Sequence, residues 1–138
     1  MMKKCVVLSL ALVLVVAAGC ATTSKGVSDE EQIAKQLQDG IENVKAKNFD
    51  AFEKTISDSF YAGVVGDKED LLAYLENADG MGFLDDIEID ISEAEITIEG
   101  DKASVSPVYA EGSFGSLGLN FEGAKENGVW MITGLAPY

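Results

Sequence analysis

The sequence predicts a single α+β domain in which three N-terminal helices pack on an antiparallel sheet of about four strands. Apolar residues recur at helical spacing in the first part of the chain and at every second position from residue 87 onward. A chain of 138 residues is long enough for one hydrophobic core once its N-terminal segment is set aside, and too short for two. We therefore place one domain at residues 28–138.

The first helix is predicted to begin at Ser28. Ser28 followed by Glu31 has the spacing of a capping box, in which the two side chains satisfy free backbone N–H groups at a helix start. Gly40 either weakens this helix or leaves room for close packing against it. The apolar residues that follow Ser28 at spacings of three and four lie on one helix face: Ile33, Leu37, Ile41 and Val44.

Two shorter helices are predicted to follow. The second starts near Asn48, and residues 60–63 after it look extended. Asp67 and Asp70 open the third helix, residues 68–77, which the Asp-Gly-Met-Gly stretch then ends. The apolar residues that these two helices turn to the core are Phe49, Phe52, Ile56, Leu71, Leu72 and Leu75.

The pattern changes to period two at Ile87. Inward positions are odd up to Ile91 and even from Ala94. A one-residue shift exchanges the two faces of a strand, so one regular strand cannot carry both halves of this pattern. We predict a bulge or sharp bend at Ser92-Glu93.

Three more strands complete the predicted sheet. Gly100-Asp101 turns the chain into a strand near residues 103–112, and residues 113–119 lead into the next strand with Phe121 facing the core. Asn127-Gly128 is the strongest hairpin signal in the chain. The last strand carries two apolar residues on one face, Trp130 and Ile132.

The N-terminal residues have the pattern of a signal peptide. Lys3 and Lys4 precede an apolar stretch, residues 6–16, that is too short to span a bilayer. Ala-Ala-Gly then stands directly before Cys20. This order resembles the lipobox of bacterial lipoproteins. The resemblance implies a diacylglyceryl group on the Cys20 thiol and often a further acyl chain, such as palmitate, on its amine.

Under this interpretation residues 1–19 are the signal peptide, and residues 20–27 are the lipidated cysteine and a flexible tether. Two or three acyl chains bind a membrane far more firmly than one. Because no Asp follows the cysteine, the resemblance implies the outer membrane facing the periplasm in a Gram-negative host, and otherwise the outer face of the plasma membrane. The alternative is an ordinary secretory signal cut near Ala18 or Ala21, with Cys20 incidental.

The composition is strongly acidic. Ten lysines stand against 24 Asp and Glu residues, for a net charge of −14, and the chain has neither histidine nor arginine. Nucleic acid and anionic lipid surfaces would be repelled. Histidine bases, histidine metal ligands and histidine-assisted nucleophiles are excluded. We therefore expect no metal, no cofactor and no nucleic-acid partner.

A dense acidic run crosses the start of the predicted sheet. One interpretation is a cation site, because hard cations take oxygen ligands. The interpretation we favour is a solvated strand face, because alternation spreads the carboxylates along a strand and the chain has no calcium-binding loop motif. The run consists of Asp85, Asp86, Glu88, Asp90, Glu93, Glu95 and Glu99.

Three stretches resemble the nuclear transport factor 2-like (NTF2-like) superfamily, which includes ketosteroid isomerases and SnoaL-like cyclases. NVKAKNFDAFEKTISDSFY resembles its opening helix pair, IEGDKASVSPVY its middle hairpin, and KENGVWMITGL its closing strand. The resemblance covers roughly residues 28–136. It implies a cystatin-like cone, in which a strongly curved sheet wraps the long helix and leaves a cavity at its open end.

The catalytic residues of ketosteroid isomerases do not carry over. Those enzymes use a Tyr on the first helix, an Asp after the second helix and an Asp in the sheet. Here the first helix has no Tyr, and residues 60–63 hold no carboxylate. Other enzymes of the superfamily rely on His or Arg. No catalytic residue is therefore assigned.

Five aromatic residues are candidates to line the cavity of the cone. Tyr61 and Tyr109 suit this role better because each ring has a polar end, whereas for Phe121 and Trp130 we favour a place in the core. The full set is Tyr61, Tyr74, Tyr109, Phe121 and Trp130.

We interpret the protein as a lipid-anchored envelope domain. It binds a small apolar or neutral ligand, or a partner protein, through the cone without catalysis. One alternative is a small isomerase-, cyclase- or dehydratase-like enzyme that uses a Tyr or carboxylate in the cavity. The other is a structural module that acts as a homodimer.

Overall fold

The computed structural model describes residues 28–138. The predictions for the signal peptide, Cys20 and the tether lie outside these residues. No helix within them is long and apolar enough to cross a membrane. The elements, numbered here in chain order, are α1 (Asp29–Lys45), α2 (Phe49–Glu53), β1 (Tyr61–Ala62), β2 (Gly66–Asp67), α3 (Lys68–Gly80), β3 (Glu88–Asp90), β4 (Glu95–Glu99), β5 (Lys102–Gly112), β6 (Gly115–Glu126) and β7 (Val129–Pro137).

The main sheet of the described residues has five antiparallel strands. β3 and β4 both pair with β5, β5 pairs with β6, and β6 pairs with β7. The predicted break at Ser92-Glu93 is confirmed, because these residues form a turn between β3 and β4. The main sheet has one strand more than the approximately four predicted. The break divides the acidic segment into two strands, and β1 and β2 form a further small pair.

The first helix forms as predicted from its cap and its apolar face. The Ser28 side chain accepts a hydrogen bond from the Glu31 backbone N–H at 3.3 Å. Gly40 is buried, and a Cβ there would lie 3.5 Å from Cε2 of Phe52, an ordinary van der Waals contact, so the packing of α2 does not require glycine at this position. The predicted apolar face of α1 is buried in full: Ile33, Leu37, Ile41 and Val44.

The third helix begins at its predicted capping box and ends later than predicted. The side chains of Asp67 and Asp70 each accept a hydrogen bond from the backbone N–H of the other. The helix continues to Gly80 instead of stopping near Asn77. Ala78 is buried against a cluster that follows the helix, and this tertiary contact outweighs the low helix propensity of Asp and Gly.

The core-facing side of the sheet changes parity along the chain. Each change is a place where a strand gains a residue or breaks, which bends the sheet. Register shifts mark two of them, in the pairings of β5 with β6 and of β6 with β7. The residue pairs that face the core across these points are Ile91 and Ala94, Val105 and Val108, and Ile132 and Leu135. The sheet therefore curves over α1, whose apolar face packs on β5 and β7.

Candidate functional site

A small apolar cavity lies between α1 and the core-facing side of the sheet. Its volume is about 40 Å³. A single water needs roughly 10–15 Å³ on this measure, whereas small-molecule sites occupy roughly 300–1,000 Å³. The cavity therefore holds at most a few waters. It is lined by Ile33, Gln36, Leu37, Ala103, Val105, Phe121, Glu122, Gly123, Trp130, Met131 and Ile132.

The structure brings two of the five candidate aromatic residues together at this cavity. Phe121 and Trp130 both line it, and Trp130 is only 4% exposed. Tyr61 and Tyr74 are 68% and 60% exposed. Tyr109 lies on the opposite side of the sheet, where its ring meets that of Tyr138 edge to face, with the ring centroids 6.5 Å apart. The polar ends of these three tyrosines are thus not part of the cavity lining.

The wall of the cavity at Trp130 is fixed by polar contacts with the start of α1. The indole N–H of Trp130 donates to Asp29 Oδ1 at 3.1 Å. Lys125 Nζ donates to the same oxygen at 3.0 Å and lies 6.0 Å from the centre of the Trp130 ring. Gln36 donates to the Trp130 carbonyl at 3.1 Å. The sequence holds no local signal for this cluster, because Asp29 and Trp130 are 101 positions apart.

The same contacts hold the pKa of the Asp29 carboxyl below its ordinary value of 3.8. The hydrogen bond from Trp130 is the main cause, followed by the one from Lys125. Both favour the ionised carboxylate in the folded state. The resulting stability is present above the unfolded-state pKa and is lost as the pH falls through the lower folded-state pKa.

We therefore expect Asp29→Asn to alter the acid limb of the stability profile. Above about pH 5 the difference in unfolding free energy between the wild type and Asp29→Asn should be constant, and below about pH 4 it should shrink. Urea unfolding of both proteins at a series of pH values, from above pH 5 down to pH 2, measures this difference. Glu30→Gln, which changes an exposed carboxylate in the same helical turn, is the matched control. A difference that stays constant down to pH 2 would contradict the role of Asp29.

A buried hydroxyl lies at the outer edge of β7. Ser57 is 1% exposed, and its Oγ donates to Glu126 Oε2 at 2.7 Å and lies 2.9 Å from Ser59 Oγ. The Ser57 backbone N–H donates to the carbonyl of Ile132 at 2.9 Å, in a parallel bridge beside β7. Sequence reasoning missed this contact, which also joins distant segments. Because a serine nucleophile needs access to its substrate, the burial of Ser57 does not suit catalysis. Its hydrogen bonds to Glu126 and Ile132 hold the segment after α2 to the sheet.

Four carboxylates of the predicted acidic run lie on the solvent side of the sheet and alternate with partly buried isoleucines: Glu88, Asp90, Glu95 and Glu99. The other three, Asp85, Asp86 and Glu93, lie in turns. A depression of about 350 Å³ at the end of this face is lined by Glu88, Asp90, Tyr109, Glu111 and Ser116. Hydrogen bonding to Ser92 lowers the pKa of the Asp90 carboxyl. Across residues 28–138, no group of three or more His, Cys, Asp or Glu side chains is arranged to hold a metal ion. The exposed carboxylates on β3 and β4 form a solvated strand face.

No family model and no curated protein matches this chain. Among solved structures, it is similar to a protein of unknown function with a cystatin-like fold from Nostoc punctiforme PCC 73102. The TM-score is 0.65 and the identity 16%, over 78% of this chain and 87% of that chain. The chain has the NTF2-like, cystatin-like fold.

Two further NTF2-like proteins of unknown function support this assignment. The protein from Shewanella baltica OS155 gives a TM-score of 0.63 at 16% identity, over 82% of this chain and 98% of that chain. The protein from Pseudomonas putida KT2440 gives 0.62 at 12% identity, over 80% and 87%. At these identities the likeness shows the NTF2-like fold alone.

Proposed function

We propose that this protein is a lipid-anchored cell-envelope protein whose NTF2-like domain works by non-enzymatic binding of a partner protein. The observation that carries the proposal is the filled interior of the cone. The cavity of about 40 Å³ is too small for a substrate, and its lining is mainly apolar. A domain with no room for a ligand inside can still bind a protein on its outer surface, since proteins recognise one another through surfaces.

The lipid anchor is supported by the residues before the domain. The apolar stretch, the small residues and Cys20 stand in the order of a lipoprotein signal. The strongly acidic chain has little affinity of its own for anionic lipid, so acyl chains would supply the attachment. The placement follows from the same signal: the outer membrane facing the periplasm, or the outer face of a single plasma membrane.

A small apolar ligand is the second candidate, and the apolar lining of the cavity favours it. Such a ligand would have to displace side chains such as Trp130, since the present volume accommodates only water. The enzyme alternative has less support because Tyr61, Tyr74 and Tyr109 lie away from the cavity, and the one carboxylate in its lining, Glu122, borders a volume too small for a substrate. A homodimer through the solvent side of the sheet would bring carboxylates against carboxylates.

Native mass spectrometry of the full protein purified from the host envelope tests the proposal. We expect the native and denatured spectra to give the same protomer mass, because the filled cone carries no small molecule. Cross-linking in living cells before purification should add a second, different polypeptide. A stoichiometric small molecule present only in the native spectrum would overturn partner binding in favour of ligand binding. A cross-linked product made only of this chain would instead favour the homodimer.

A further inference from the structure

The two ends of α1 mark two ends of the domain. At its start, the Asp29 carboxylate contacts Lys125 beside the β6–β7 turn. At its last residue, Lys45 Nζ lies 3.3 Å from the carboxylate of Glu88. The strand partner of Glu88 is Glu111, next to the β5–β6 turn. We call the first end, which the proposed tether joins, the anchor end, and the second the far end.

The far end is the end of the domain opposite the residue that the proposed tether joins. The 17 residues of α1 span about 25 Å, and the 12 residues of β6 span about 40 Å between the two turns. A tether of residues 20–27 reaches about 28 Å when fully extended. Such a tether would join the membrane to the anchor end, and the far end is the opposite end of the domain.

Large apolar side chains are exposed at the far end. Leu117 lies on the core-facing side of β6, opposite Ala110, which is opposite Ile89. An apolar row on the core-facing side thus crosses three strands, from Ile89 through Ala110 to Leu117, and ends in solvent at Leu117. The exposed apolar residues of the far end are Met81 (63%), Phe83 (39%), Phe114 (41%) and Leu117 (45%).

Carboxylates outnumber lysines at the far end, although Glu88 and Glu111 project from the solvent side of the sheet and Leu117 from the core-facing side. Lys47 pairs with Asp79 and Asp85, and Lys45 pairs with Glu88. These two lysines leave a negative surplus among the carboxylates at this end, which are Asp79, Asp85, Asp86, Glu88 and Glu111. The surface of the far end is therefore both apolar and negatively charged.

We propose that the far end binds a cationic amphipathic segment of the partner protein. This rests on the proposed function and names the chemistry of the partner. Apolar side chains of the segment would cover Phe114 and Leu117, and its basic side chains would pair with Asp85 and Asp86 of the turn between α3 and β3 and with Glu111 at the same end of the domain. Charge complementarity selects this occupant, because a second copy would bring like charges together and anionic lipid would be repelled.

A designed peptide tests this chemistry directly. The probe is a helical peptide of about 18 residues with leucine and lysine at amphipathic spacing, and its control replaces every lysine with glutamate. The protein used is the mature chain with Cys20→Ser. Without acyl chains it needs no detergent, and detergent would itself bind an amphipathic peptide. Isothermal titration should show binding of the lysine peptide that weakens as salt rises, and no binding of the glutamate peptide.

Paired variants locate the binding surface. Phe114→Ser with Leu117→Ser should weaken the lysine peptide at least about tenfold, because both side chains are exposed and available for contact. Val129→Ser, which removes a side chain 49% exposed at the anchor end, should change affinity less than about twofold. Glu111→Lys should weaken binding more than Glu30→Lys, which makes the same change at the anchor end.

Three results would overturn the far-end proposal. They are no binding of the lysine peptide, equal binding of the glutamate peptide, and equal loss from far-end and anchor-end variants when circular dichroism shows each variant folded. A dimer abolished by Phe114→Ser would assign the surface to a second copy instead. Each of these leaves partner binding as such intact, whereas a small molecule in the native mass spectrum would overturn the proposed function itself.

Discussion

Trp130→Ala should destabilise the domain by about 3–5 kcal/mol, as expected for removing a large aromatic side chain from a core. Trp130 is 4% exposed and packs with Ile33 and Leu37 of α1 and with the β5 core. Its removal would enlarge the small cavity beside it, which the surrounding side chains can only partly refill. A small domain has about 5–15 kcal/mol of stability in total, so the loss should be a large share.

Urea unfolding followed by circular dichroism measures the change, because Trp130 is the only tryptophan and the variant has no indole fluorescence. Trp130→Phe keeps an apolar ring in the core but removes the hydrogen bond to Asp29. It should therefore lower the free energy of unfolding less than Trp130→Ala does. Val129→Ala, at an exposed neighbour, should change stability by less than about 0.5 kcal/mol. A loss below 1 kcal/mol for Trp130→Ala would mean that Trp130 lines an open pocket instead of the core.

Local patterns account for the parts of the fold that could be predicted. The caps at Ser28 and Asp67, the apolar face of α1 and the break at Ser92-Glu93 each depend on residues within a few positions of one another. A second irregularity was also visible in the sequence, because Val105 and Val108 on β5 show the same reversal of parity as Ile91 and Ala94.

Contacts between distant segments could not be predicted in the same way. The late end of α3 follows from the burial of Ala78 against residues that come after the helix. The contact of Asp29 with Trp130 and that of Ser57 with Glu126 join segments separated by 101 and 69 positions. None of these side chains has a local pattern that names its partner, and the contacts depend on how the distant segments pack.

The same limit applies to the candidate site. Sequence suggested that aromatic side chains converge on a cavity, and alternation placed Phe121 and Trp130 on the core-facing side. Whether the space between them is open depends on how closely α1 approaches the curved sheet, which is a property of the whole packed core. That approach leaves a cavity of about 40 Å³, and because this volume is too small for a ligand we propose that binding takes place on the surface of the domain.

Cys20→Ser should move nearly all of the protein from the membrane fraction of the host to the soluble envelope or medium fraction. The proposed acyl chains attach through the Cys20 thiol, and serine cannot form that thioether. Two or three acyl chains bind a membrane firmly, whereas the acidic domain has no comparable attraction to anionic lipid. Fractionation followed by immunoblotting measures the shift, and mass spectrometry of the wild type should show the acyl mass on the N-terminal peptide.

Cys5→Ser is the matched control, because the chain has only two cysteines and Cys5 belongs to the predicted signal peptide. Its loss should leave membrane retention unchanged, since the mature protein would begin at Cys20. If Cys20→Ser stayed in the membrane fraction while Cys5→Ser behaved as the wild type, the lipid assignment would fail. The anchor end would then no longer be the end of the domain that is joined to a membrane. The peptide titrations would stand, because they depend only on the surface of the folded domain.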